Sequence, residues 1–237
     1  DCNGHPWLDR PGSPDSRQRC RGRGAYRADA GIADPRAITG QQLTGSVLTT
    51  TNHDRDNFGL SYVYPVVSRR AGGVSIGINL NPNNACNWAC VYCQVPNLTR
   101  GGAPDINLLQ LESELQHMLQ QVLHGDFMAH HVPPEARRLN DVAFSGNGEP
   151  TSAACFADAI AVVERQLQQF GLLGQIKVVL ISNGSLMARP QVQQALRRLA
   201  AINGEVWFKL DRGSSADVLQ VNQVNLSINA VLRHLAI

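Results

Sequence analysis

Lysine is nearly missing: the chain of 237 residues has two, Lys177 and Lys209. Charged residues of all kinds make up 17%, and the two signs nearly cancel to a net +2. Most of the imbalance lies at the front. Residues 1–45 carry seven arginines and five aspartates, leaving 14 basic and 14 acidic residues in 46–237. A neutral body lacks the basic footprint with which a dedicated nucleic-acid binder neutralises phosphates, so nucleic acid is not supported as a partner. No apolar run approaches the ~20 residues that span a bilayer, and there is no charged start leading into an apolar run and a small-residue cleavage site. The expectation is a cytoplasmic protein with no membrane partner. Histidine is absent between His53 and His117, and no cysteine follows Cys93 until Cys155.

What remains is 43% hydrophobic, enough for the core of one large domain or two small ones. Residues 1–46 are rich in Arg, Gly, Asp and Pro and poor in large apolar side chains; such a segment cannot bury enough to offset its ordering entropy, and disorder is expected there. The core domain is expected over 47–237. From Val74 the pattern alternates strand and helix. VSIGINL (74–80), DVAFS (141–145), IKVVLIS (176–182) and EVWFKLD (205–211) read as strands. Helices are expected over 107–125, from Phe156 to Gly171, from Pro190 to Asn203-Gly204 and over about 227–236. Asn107 and Gln110 form a capping-box pattern at the first. Four strand–helix units in alternation predict an α/β fold with a parallel sheet and right-handed crossovers.

Chemistry in such folds gathers where strands end and helices begin. The cysteine loop ACNWACVYC follows the first strand, GNGEPT (146–151) the second, SNGS (182–185) the third and KLDR (209–212) the fourth. Cys86, Cys90 and Cys93 are spaced so that one loop offers three thiolates to a compact object. Structural zinc takes four ligands, and no fourth is near; a zinc with three thiolates and an open site is a poor Lewis acid. A cubane iron–sulfur cluster tolerates thiolates on three of its four irons. Three buried cysteines without a ligand are the bland alternative. Gly146 and Gly148 allow unusual backbone angles and close approach to a ligand, Glu149 offers a carboxylate, and Pro150 locks the exit into the next helix. Ser182 and Asn183 are either plain turn residues or ligand contacts. In the fourth strand, alternation sets Val206, Phe208 and Leu210 on one face and Glu205, Trp207, Lys209 and Asp211 on the other. Lys209 and Asp211 then point into the mouth of the fold, or form a buried pair that braces it.

The motif C-x3-C-x2-C with Tyr92 before its third cysteine resembles the signature of the radical S-adenosylmethionine (SAM) superfamily, and GNGEP resembles that family's glycine–glycine–glutamate–proline motif, here with Asn147 between the glycines. The segment SYVYPVVSRRAGGVSIGINL (61–80) is similar to bacterial and archaeal iron–sulfur oxidoreductases near the wyosine (tRNA-modifying) synthetases. The resemblance covers about 47–237. It implies a partial parallel (βα) barrel, a [4Fe-4S] cluster on Cys86, Cys90 and Cys93, and SAM chelated by the open iron. Contacts to SAM would come from Tyr92, Gly146, Asn147, Gly148, Glu149, Pro150, Ser182, Asn183, Lys209 and Asp211. The implied activity is reductive cleavage of SAM to a 5′-deoxyadenosyl radical that takes a hydrogen atom from an unknown substrate. An electron donor such as flavodoxin or ferredoxin is implied as a partner. Arg69 and Arg70 are candidates to neutralise an anion near the cluster, or a solvated pair before a strand.

Two departures matter. Family members usually build six strand–helix units and four are legible here, so a C-terminally incomplete core is expected, and with it an exposed sheet edge. Wyosine synthetases use further cysteines for a second cluster; Cys2, Cys20 and Cys155 suggest no second site, and Cys155 reads as a small buried hydrophobe. A structural metal protein, a catalytically incompetent fragment and a tRNA-modifying enzyme stay open as alternatives.

Overall fold

Runs of β-branched and apolar residues form the strands, and each is short enough to cross a sheet once. The computed structural model describes residues 43, 45–51, 58–69 and 72–237, all belonging to the unit Gly31–Ile237. The expected disorder of 1–46 falls almost wholly outside these residues, as does Arg70. The chain enters with β1 (Val63–Ser68) and β2 (Gly73–Ile78), which pair antiparallel. Two short strands, β3 (Ala85–Cys86) and β4 (Thr99–Arg100), pin the base of the cysteine loop to each other. Then come α1 (Leu108–Leu123), α2 (Phe127–His131), β5 (Leu139–Phe144), α3 (Phe156–Gln169), β6 (Lys177–Ser182), α4 (Pro190–Ala201), β7 (Gly204–Phe208), α5 (Ser215–Asn222) and α6 (Ile228–Leu235).

The main sheet has five strands in the order β1-β2-β5-β6-β7. β2, β5, β6 and β7 are the four parallel strands expected; β1, read only as a lead-in to the cysteine loop, adds an antiparallel edge. The architecture is therefore mixed α/β with a mostly parallel sheet. It is not a closed barrel: β1 and β7 form separate edges.

Alternation along the strands sorts the two faces. Val74, Ile76 and Ile78 on β2, Val142 and Phe144 on β5, and Val178 and Leu180 on β6 are all fully buried. They meet the apolar stripes of the helices: Phe144 packs edge-on against Phe156 of α3, ring centroids 5.5 Å apart. The other face carries Ser75, Gly77, Asp141, Ala143 and Ile181, a mixed and partly polar set. Gly77 has a specific reason to be there. A Cβ on it would lie 2.2 Å from Tyr64 Cζ, so the Tyr64 ring crosses β2 over the missing side chain, and its hydroxyl meets Ser145 Oγ at 2.7 Å.

The helices start and stop much as their sequences ask. Asn107 caps α1, accepting from the Gln110 backbone N–H at 3.2 Å. The reciprocal half of the capping box does not form, because the Gln110 amide donates instead to Ser61 Oγ and Glu114. Glu114, 1% exposed, accepts from the backbone N–H groups of Ser61, Tyr62 and Val63, which fixes the start of β1 against α1. Gly171 and Asn203 adopt left-handed backbone angles after α3 and α4. Pro150 opens a single 3-10 turn, Pro150–Ser152, and α3 begins only at Phe156. No helix among the described residues is long and apolar enough to cross a membrane.

Candidate functional site

The strand ends open onto one cleft of about 760 Å³, on the sheet face opposite α3. Cys86, Cys90, Tyr92, Cys93, Gly146, Asn147, Gly148, Glu149, Asn183, Lys209 and Asp211 all line it. Of the expected site residues only Pro150 and Ser182 do not; both are buried behind the lining. Four motifs spread over more than a hundred residues are thus brought to one place by the parallel strands that precede them.

The loops are held to one another by asparagines. Asn79 Oδ1 accepts from the backbone N–H of Asn81 at 3.0 Å and of Asn147 at 3.1 Å. Asn147 Nδ2 donates to Asn84 Oδ1 at 2.6 Å. Asn87, inside the cysteine loop, donates to Ser185 Oγ at 2.7 Å and accepts from Asn183 Nδ2 at 2.9 Å. Asn79, Asn84 and Asn87 are functional residues that the motifs above do not single out; their signal in the sequence is the run NLNPNNACN. Asn183 is more than a turn residue: it joins the SNGS loop to the cysteine loop.

The two glycines of GNGEPT are needed for a different reason from the one expected. Neither has a left-handed φ. A Cβ on Gly146 would stand 2.3 Å from Asn79 Oδ1, and one on Gly148 would stand 2.1 Å from the Ala85 carbonyl oxygen. Their space is filled by the protein's own cysteine loop. Glu149 also turns inward. It is 2% exposed, and its carboxylate accepts from Thr151 N, Thr151 Oγ1, Ser182 Oγ and Asn183 N at 2.6–3.1 Å. Burial pushes this carboxyl above its ordinary range, and the hydrogen bonds from Thr151, Asn183 and Ser182 pull it back only in part. Glu149 therefore clamps the end of β5 to the end of β6 while presenting one edge to the cleft.

None of Cys86, Cys90 and Cys93 is in a disulfide. Cys93 N–H donates to the Cys90 carbonyl oxygen at 2.9 Å, closing a turn that carries two thiols. Cys86 Sγ accepts from Trp88 N–H at 3.5 Å, and Cys90 Sγ from Asn222 Nδ2 at 3.2 Å. Burial raises the Cys86 thiol, with the negative groups Glu149, Cys90 and Cys93 adding to the effect; a bound cation would reverse that. Among the described residues no three His, Cys, Asp or Glu side chains are grouped so that they could hold a metal ion. Three cysteines drawn around one point would suit a single ion; a cluster, with one thiolate on each of three irons, asks for a wider spread. Three soft thiols lining one cleft are a donor set of the kind that iron–sulfur chemistry uses.

Lys209 and Asp211 lie just past β7 and do not form a buried pair. Lys209 is exposed, with Nζ 4.9 Å from the centre of the Tyr92 ring. Asp211 Oδ2 accepts from the Tyr92 hydroxyl and, at 2.6 Å, from Asn222 Nδ2. The Tyr92 hydroxyl is pushed well above its ordinary range by burial and by the Asp211 carboxylate. Asn222 at the end of α5 thus touches both Cys90 and Asp211. It was missed because α5 shows only Val218 and Asn222 buried and gives no periodic apolar signal. Trp207, Lys209 and Asp211 line the cleft, but so do Phe208 and Leu210, so the expected alternation does not divide this segment, whose strand ends at Phe208; Val206 and Leu210 are 39% and 45% exposed. Arg69 lines the same cleft at its rim. Cys155 is buried, as expected, immediately before α3.

No family model matches the chain. It is 26% identical over 175 residues to a UPF0026 protein of Helicobacter pylori strain J99, covering 70% of this chain and 51% of that protein. A UPF0026 protein of Helicobacter pylori strain 26695 is 27% identical over 66% of this chain and 48% of its own length. A GTPase Obg of Brachyspira hyodysenteriae is 24% identical over 70% of this chain but 21% of its own length. The chain spans about half the length of the first two relatives.

Proposed function

We propose that this chain carries the cluster- and SAM-binding half of a radical SAM enzyme of the partial-barrel type. The observation that supports the reading most is the convergence of Cys86, Cys90 and Cys93 with Gly146–Glu149, Asn183, Lys209 and Asp211 on a single cleft at the ends of parallel strands. A [4Fe-4S] cluster would be held by the three thiols. When bound, it would supply the electron for reductive cleavage of SAM.

The chain's own residues bind, orient and shield. Asn87 and Asn183 hold the cysteine loop against the SNGS loop, so the thiols and the Gly146–Glu149 edge keep one spacing. Glu149 keeps two strand ends together, leaving backbone groups of Gly146–Gly148 as the polar contacts for a methionyl amine. Lys209 and Asp211, beside Tyr92, offer a cation and an acceptor on the facing wall. A cytoplasmic setting, flavodoxin or ferredoxin as electron donor, and an unidentified substrate complete the proposal.

The third relative's name speaks of a GTPase, yet about a fifth of that protein is matched. The chain has no Gly-Lys pair, and so no loop of the kind that cradles nucleotide phosphates. The test is anaerobic reconstitution of the full chain with iron and sulfide. About four irons per chain are expected, with a paramagnetic spectrum that changes on adding SAM, and Cys90→Ser should lose both. Zinc in place of iron, or a cluster indifferent to SAM, refutes the reading.

A further inference from the structure

Away from the cysteines, the cleft runs down the inner face of the sheet to a second polar group. Asp141 on β5 lines it and is 5% exposed. Ser75 Oγ donates to Asp141 Oδ1, and among the described residues it is the one side chain that donates to this carboxylate. The nearby donors are taken elsewhere. Lys177 sits in register with Asp141 on the next strand, but its amine pairs with Glu205. The Trp207 indole N–H also donates to Glu205, at 2.6 Å. Arg69, at the rim, is exposed and makes no ion pair with Asp141. Glu205 adds negative field at Asp141 rather than relieving it. A carboxylate that lines a cleft and has one neutral donor is a place where a ligand can supply a further partner.

We infer that Asp141, backed by Ser75, is the anchor for a cationic nitrogen, an amine or amidine, on a small-molecule substrate. Opposite charge and N–H donors complete the carboxylate. The spacing sets a length. Asp141 lies four residues before Ser145, the residue that follows β5, about 13 Å along an extended chain at ~3.3 Å per residue. Tyr64, reaching across Gly77 to Ser145, stands between the two ends. A molecule anchored at Asp141 must extend past the Tyr64 ring to present a carbon to the cysteine end. The inference rests on the proposed function only in taking the cleft as a substrate cleft.

The probe is benzamidinium, with benzoate as its anionic counterpart, titrated by calorimetry into the full chain before and after iron reconstitution. Benzamidinium is expected to bind at least about tenfold more tightly than benzoate, and Asp141→Asn to weaken it by about tenfold or more, as for a hydrogen bond to a charged group. Benzoate binding equally well, or benzamidinium unaffected by Asp141→Asn, overturns the inference. A crystal of the unaltered protein soaked with benzamidinium decides independently of the variant's folding. An amidine nitrogen on the Asp141 carboxylate supports the assignment, and occupancy only at Asp211 or Glu205 refutes it. Because binding is scored on iron-free protein as well, it survives or fails apart from the reading of the cysteines.

Discussion

Gly77→Ala should act through one ring. The added Cβ would stand 2.2 Å from Tyr64 Cζ and within 2.7 Å of two further ring carbons, so the ring must leave its seat across β2. Tyr64 is 6% exposed, and overpacking at a buried contact of this kind costs about 1–3 kcal/mol. Tyr64→Ala alone removes a large aromatic side chain, at about 3–5 kcal/mol. With the ring gone, the three nearest atoms to the new methyl are gone, and Gly→Ala within a strand gains about 0.5–1 kcal/mol. The two substitutions should therefore be coupled by about 1.5–4 kcal/mol, with the glycine change harmful in the parent and neutral or helpful beside Tyr64→Ala. Urea denaturation of the parent, both single variants and the double variant, followed by circular dichroism, measures this. Additivity within about 0.5 kcal/mol would show that the ring does not lie over Gly77 and would remove the shelf that divides the cleft.

Two further outcomes follow from the same surfaces. Gly148→Ala places a Cβ 2.1 Å from the Ala85 carbonyl, a backbone atom that cannot swing aside; the cysteine loop must shift, and iron bound on reconstitution should fall by half or more (~0.4 kcal/mol in loading suffices for that), whereas unchanged loading would detach the loop from the site. Burial holds the Asp141 carboxyl above its ordinary value of 3.8, so the fold favours its protonated form. That contribution is fully present below 3.8 and is lost as pH rises through the folded value. Asp141→Asn lacks the dependence, so as pH rises above 3.8 its stability should gain on the parent until the folded carboxyl ionises, and run level with it beyond that, in denaturant titrations; curves parallel throughout would refute the shift.

Much of this was readable beforehand, for physical reasons that differ by element. IKVVLIS declared a buried parallel strand because both of its faces are covered, and Asn107, Gly171 and Asn203 declared helix ends because backbone geometry there admits few residues. The cleft was foreseen because parallel strands deliver their C-terminal ends to one side. Other features depend on partners distant in sequence and left no local mark. The antiparallel pairing of β1 is set by β2 and by Glu114, which lies 51–53 residues beyond the N–H groups it accepts. Asn222 matters only because its neighbours in space are Cys90 and Asp211. The glycines of GNGEPT were rightly picked out, but what crowds them is the protein itself, a distinction only three-dimensional distances reveal. Asp141 looked like any polar residue opening a strand until the pairing of Lys177, its neighbour in register, with Glu205 left it short of donors.

The asparagine ladder has a bearing on the life of the molecule in air. Asn87 and Asn183 tie the cysteine loop to the SNGS loop without help from a thiol, so on the proposed reading an oxidised and emptied site retains its contour there. Restoring it would then be a question of delivery of iron and sulfide, with no polypeptide rearrangement in the way, and hydrogen exchange across residues 79–93 should be nearly the same in the stripped and refilled states.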